Sequence, residues 1–89
     1  MNIEEAVAAA TDEASPLISC LGQPVLAYHV TAILREHDVE HARRMQQEFR
    51  RRSVDALVAD GLEDDVAERF AALVNGRVGS TWRLLHPPH

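Results

Sequence analysis

Eighty-nine residues with a formal charge of −5 and one cysteine describe a single small domain. No intramolecular disulfide or cysteine-based zinc site is open to it, and its overall charge repels nucleic acid and anionic membranes. A chain this short buries only about 60 to 65% of its unfolded surface, so a monomer has little stability in reserve and self-association is a live option.

Charge is unevenly spread. Residues 1–13 hold four acids and no base, residues 35–55 six arginines and five acids, residues 60–68 five acids, and residues 69–89 three arginines and no acid. All nine basic residues are arginine, which reads as readily as a GC-rich genome as guanidinium chemistry.

Taken in order, Asn2 followed by Glu5 has capping-box spacing, and Ile3, Ala6, Val7 and Ala10 then repeat at helical period, predicting an alanine-rich amphipathic helix over 3–13. From Ala14 to Leu34 there is no charged side chain, and such a run has to be buried. Pro16, Gly22 and Pro24 interrupt it, and Ser15, Ser19, Gln23, His29 and Thr31 are too polar for a membrane span. Met1–Ala14 lacks the basic and apolar regions of a signal peptide, so the expected location is cytoplasmic. Ser15-Pro16 starts a short helix to Leu21, with Cys20 read as a core residue. Pro24–His37 is predicted as the central helix, because apolar residues from Val25 to Leu34 cover nearly every direction around it.

Asp38 is a good N-cap for a helix to about Asp60, although one unbroken helix over 25–60 also fits the pattern. Its stripe, Val39, Ala42, Met45, Gln46, Phe49, Ser53, Ala56 and Leu57, suits an antiparallel neighbour or a second copy of the chain. Gly61 sits where a left-handed stop belongs, with Leu57 and Leu62 spaced for its hydrophobic contact. Asp64 and Asp65 favour the start of another helix, with Val66, Phe70, Leu73 and Val74 as its buried face and Asn75-Gly76 as its end. Ser80 could cap a short terminal helix carrying Trp82 and Leu85. The predicted fold is all-α, a compact bundle of about four helices with a buried central helix, forming one domain over residues 1–89 with residues 86–89 as a short disordered tail.

His37-Asp38-Val39-Glu40-His41 resembles the H-x-x-E-H motif of inverted zincins, in which two histidines one helical turn apart bind zinc. The resemblance spans five residues and implies at most His37 and His41 as metal candidates, the other reading being two solvated histidines. His29, on an apolar helix, reads as a hydrogen-bonded core residue. Glu40 to Arg44, Glu48 to Arg52 and Arg51 to Asp55 are each four apart, which predicts a solvated, paired face. Arg43 and Arg50 have no acid at that spacing.

Residues 66–85 loosely resemble a helix-turn-helix with its turn at Asn75-Gly76, which would put Arg77, Ser80 and Arg83 against DNA. Gly76 and Gly79 at the start of the recognition helix count against it. No nucleophile grouping, P-loop or dinucleotide glycine pattern is present. The expected function is therefore a non-enzymatic protein-protein interaction domain without cofactor, a regulator or assembly factor binding a protein partner or itself as a homodimer. Its interaction residues would be Met45 and Phe49, flanked by Arg43 and Arg50, with Trp82 a further contact. DNA binding and a small helical metal-binding protein are the alternatives.

Overall fold

The computed structural model describes residues 23–87 together with Glu5. Within them all regular structure is helical: α1 (Gln23–Arg35), α2 (Val39–Ala59) and α3 (Asp64–Leu85). The helices expected over 3–13 and 16–21, and Cys20, lie outside the described residues.

Leu26, Val30, Ile33 and Leu34 of α1 are fully buried, at the four- and three-residue steps that hold one helix face. Val25 and Tyr28 turn outward, Tyr28 with 71% of its surface exposed. Among the described residues α1 is thus covered on one side, not enclosed all round as its composition suggested.

The chain breaks between α1 and α2 rather than running through. Asp38 has extended backbone, and its carboxylate accepts hydrogen bonds from the backbone N–H groups of Glu40 (2.9 Å) and His41 (3.2 Å). Two otherwise orphaned donors of the first turn are thereby satisfied. The Glu36 carboxylate accepts from the Asp38 N–H at 3.1 Å, which stiffens the corner.

At the far end of α2, Gly61 adopts a φ of 106°. Its N–H donates to the Val58 carbonyl at 3.0 Å and that of Leu62 to Leu57 at 3.1 Å. That pair of bonds is a Schellman stop, and Leu62 packs on the core as the pattern implied.

Asn75-Gly76 does not end α3, which continues to Leu85, and the separate helix expected at Ser80 is its last part. Gly61 has the only positive φ among the described residues, so Gly76 supplies no turn. One helix of that length has to present a single face, and the buried set is Ala67, Ala71, Val74 and Val78. Leu73, expected inside, is 71% exposed, and Val66 is exposed as well. Both lie roughly 110° to 130° around the helix from the centre of that face, on the side that neither α1 nor α2 covers.

Cross-helix pairs fix the topology. Gln46 meets Asn75 and Arg50 meets Glu68, so positions rise along α2 as they fall along α3, the register of an antiparallel hairpin. His29 meets Phe49 across α1 and α2. The hairpin's walls and the apolar face of α1 enclose a core of Leu26, Val30, Ile33, Leu34, Phe49, Leu57, Ala67, Val74 and Val78. Ser53 is buried there at no polar cost, since its hydroxyl donates to the Phe49 carbonyl at 2.7 Å.

Candidate functional site

The stripe of α2 that was read as an interaction seam lies mostly inside the bundle. Phe49 is 2% exposed and belongs to the core, while Met45 is half-buried against it. Arg50 reaches across to Glu68 on α3 at 3.0 Å. The reason is geometric: among the described residues α2 has two helical neighbours, α1 and α3, and both pack along this stripe. The surface on which a homodimer was expected is therefore largely consumed within one chain.

What α2 leaves open lies on either side of that seam. Between α1 and α2 is a groove of about 490 Å³ with Tyr28, Ala32, Ile33, Met45 and Phe49 on its apolar walls. His29, His41, Arg44, Glu48 and Arg52 supply the polar part of its lining. His29 is half-buried and sits by its ring against Phe49 (centroids 6.0 Å) and Tyr28 (5.6 Å), not through a hydrogen bond among the described residues. Its pKa is lowered, first by loss of hydration and then by the positive charge of Arg52.

Charge in this groove departs from the spacing rule. Glu48 is held below the usual carboxylate range by hydrogen bonds from Arg51 and then Arg52. Glu40, however, pairs with Arg43 at 3.6 Å instead of Arg44. Arg44 has no carboxylate partner among the described residues and borders the groove with its charge uncompensated. Sequence spacing assigned Glu40 to Arg44 and so missed it; three- and four-residue spacings are both open to such pairs.

On the other side of α2, facing α3, Val39, Ala42, Arg43, Gln46, Gly79, Trp82 and Arg83 line a cleft of about 140 Å³. A shallower depression of about 320 Å³ continues it past Gln47, Ala72, Asn75 and Gly76. The cleft unites residues that had been assigned to different functions: Arg43 and Trp82 to protein contacts, Arg83 to DNA. Arg83 donates to the Ser80 hydroxyl at 3.4 Å, and Ser80 in turn to the Gly76 carbonyl at 3.0 Å. The helix-turn-helix that was to present Arg77, Ser80 and Arg83 lacks its turn, because α3 is unbroken.

Beneath the cleft the helices are laced by reciprocal bonds. The Gln46 amide donates to the Asn75 carbonyl (3.3 Å) and the Asn75 amide to the Gln46 carbonyl (3.1 Å). Asn75 Oδ1 is buried and accepts no hydrogen bond among the described residues.

The histidine motif falls apart at the corner. His37 precedes the N-cap of α2, so the two motif histidines do not share a helix. His41 Nδ1 lies 2.9 Å from Glu36, whereas His37 meets His86 edge-on at 5.0 Å. No group of three metal-ligating side chains comes together among the described residues. His86, expected in the tail, stacks on Trp82 at 4.5 Å, and its Nε2 lies 2.7 Å from the Leu34 carbonyl. Trp82 Nε1 donates to the Glu36 carbonyl at 2.8 Å. Sequence reasoning gave no signal for this clasp, since it joins residues 46 and 52 positions apart.

What fold and clefts define is an all-helical chain whose described residues form three packed helices, with an apolar groove on one side of α2 and an arginine-lined cleft on the other. No described helix is long and apolar enough to cross a membrane. No protein-family model, curated protein or solved structure matches the chain.

Proposed function

We propose that this chain is a small non-enzymatic protein-interaction domain, a regulator or assembly factor, whose α1–α2 groove receives an acidic amphipathic helix of a partner protein. One observation carries the reading: an open groove with apolar walls is bordered by Arg44, a guanidinium with no carboxylate partner among the described residues. Tyr28 stands exposed at its edge, and an amphipathic ring there offers contact area with little side-chain entropy to lose. A partner helix would lay its apolar face on Ala32, Met45 and Tyr28, with a carboxylate at Arg44. Charge complementarity selects an acidic occupant over a basic one.

The test is an NMR titration of the labelled protein with a designed leucine/glutamate amphipathic peptide and, separately, its leucine/lysine counterpart. Shifts should move at Tyr28, Ala32 and Met45 with the acidic peptide alone, and Arg44→Glu should weaken binding by about tenfold or more. Tyr28→Ser, at an exposed position, should weaken it too. Equal binding of both peptides, or an Arg44→Glu protein that binds like the wild type, overturns the proposal.

A further inference from the structure

The α2–α3 cleft carries a separate inference. At about 100° per residue, Arg43 and Gln46 lie about 100° or more around α2 from Arg44, Glu48 and Arg52, so the cleft and the α1–α2 groove occupy different sides of α2.

We propose that this cleft binds an oxyanion, the phosphate or carboxylate group of a small organic molecule. Arg43 and Arg83 supply the charge, the Gln46 amide a further donor, and Trp82 an apolar wall for the rest of the ligand.

Charge supports it first. The protein carries a net charge of −5, yet no carboxylate lines the cleft or the depression that continues it. Two guanidiniums face this space from different helices. Arg43 is held only by the long, exposed contact with Glu40 at 3.6 Å, and pairs of that kind are worth about 0 to 1 kcal/mol, so an anion competes easily. Arg83 has a neutral hydroxyl as its partner, at 3.4 Å. Each fork keeps donors available for two-point contact with a carboxylate or phosphate.

Shape supports it second. The room of about 140 Å³ is several times the roughly 30 Å³ that one water takes up in the liquid, so the cleft is larger than a hydration site. Gly79 makes this space: a Cβ there would lie 3.0 Å from the Gln46 amide nitrogen. That amide spends one N–H on the Asn75 carbonyl and keeps its second. The walls of Val39, Ala42 and Trp82 are apolar, which favours an anion attached to a hydrophobic body over a bare ion.

Trp82 is the only tryptophan in the chain, so the tryptophan emission comes from a wall of this cleft. The experiment titrates the full-length protein at low ionic strength with phenyl phosphate, inorganic phosphate, benzoate and acetate in separate arms, with sodium chloride as the ionic control. A saturable change in Trp82 emission is expected with at least one of the aromatic anions, tighter than with its inorganic or acetate counterpart. The arms tell phosphate from carboxylate. Arg43→Gln and Arg83→Gln should each weaken binding by about tenfold or more, as loss of a charge-assisted bond does. Arg83→Lys should fall between, since a point charge cannot reproduce the fork. Arg69→Gln, which removes an arginine paired with Asp65 at 3.3 Å, should bind like the wild type. Circular dichroism confirms that each variant keeps its helices. The proposal is overturned if no anion gives a saturable change beyond chloride, or if well-folded Arg43→Gln and Arg83→Gln proteins bind as the wild type does.

Discussion

Gly61 and Gly76 look alike in a sequence and do opposite work in the structure. Gly61 holds a φ of 106°, where a side chain is strained whatever the space around it. Gly76 lies within α3, and a Cβ built on it meets nothing within 4 Å. Alanine at 76 should therefore stabilise the protein by about 0.5 to 1 kcal/mol, by improving helix propensity and restricting the unfolded chain. Alanine at 61 should destabilise it by about 1 to 2 kcal/mol, the cost of a residue forced into that backbone region. Paired thermal melts check both, and shifts of the same sign would contradict the conformations assigned to these two glycines. His29 yields a third expectation at this scale. The folded state favours its neutral ring, first through loss of hydration and then through the positive charge of Arg52, and His41, Arg44 and Glu48 are the other charged or titratable groups lining the groove. Above the unfolded value near 6.5 neither state is protonated and full stability is present. As pH falls through that value towards the lower folded pKa, the unfolded chain takes up the proton more readily and stability is lost. Urea midpoints compared between pH 7.5 and 5.5 should fall less in His29→Gln than in the wild type.

Helix ends explain which parts of the fold were legible. Asp38 and the Gly61 stop were readable because each is a local device whose chemistry needs only a few neighbouring residues. Asp38→Ala should cost about 1 kcal/mol by orphaning the N–H groups of Glu40 and His41, measurable as a lowered denaturation midpoint. Asn75-Gly76 has the same local signature as a stop and is not one, because tertiary contacts override it. The Asn75 side chain bonds the Gln46 carbonyl on α2, and the long helix gains burial of Val78 and contacts from Trp82 and Leu85 that an early end would forfeit. Leu73, expected inside, faces outward because it lies about 100° or more around α3 from each of Ala67, Ala71, Val74 and Val78. Among candidate site residues, Arg43, Trp82 and Arg83 were each singled out from sequence, but their meeting around one cleft depends on the antiparallel register of α2 and α3. Phe49 was named for an interface and lies in the core, since periodicity reveals that a face is apolar without revealing what covers it.

Across the whole molecule, α2 and α3 are joined by a short connection and laced along their length, whereas the end of α1 is held by side chains from the last turn of the chain. Trp82 binds the Glu36 carbonyl and His86 the Leu34 carbonyl, taking up acceptors that the finished helix cannot bond itself. Synthesis imposes a direction on this arrangement. α1 leaves the ribosome before the two helices it packs on and before the residues that fasten its end, and domains of this kind fold as units once their parts are available. The end of α1 therefore waits through the production of some fifty further residues before its clasp exists. A chain cut short before Trp82 keeps the α2 and α3 residues that cover the apolar face of α1 but loses the bonds to the Glu36 and Leu34 carbonyls, so its first local opening is at the end of α1.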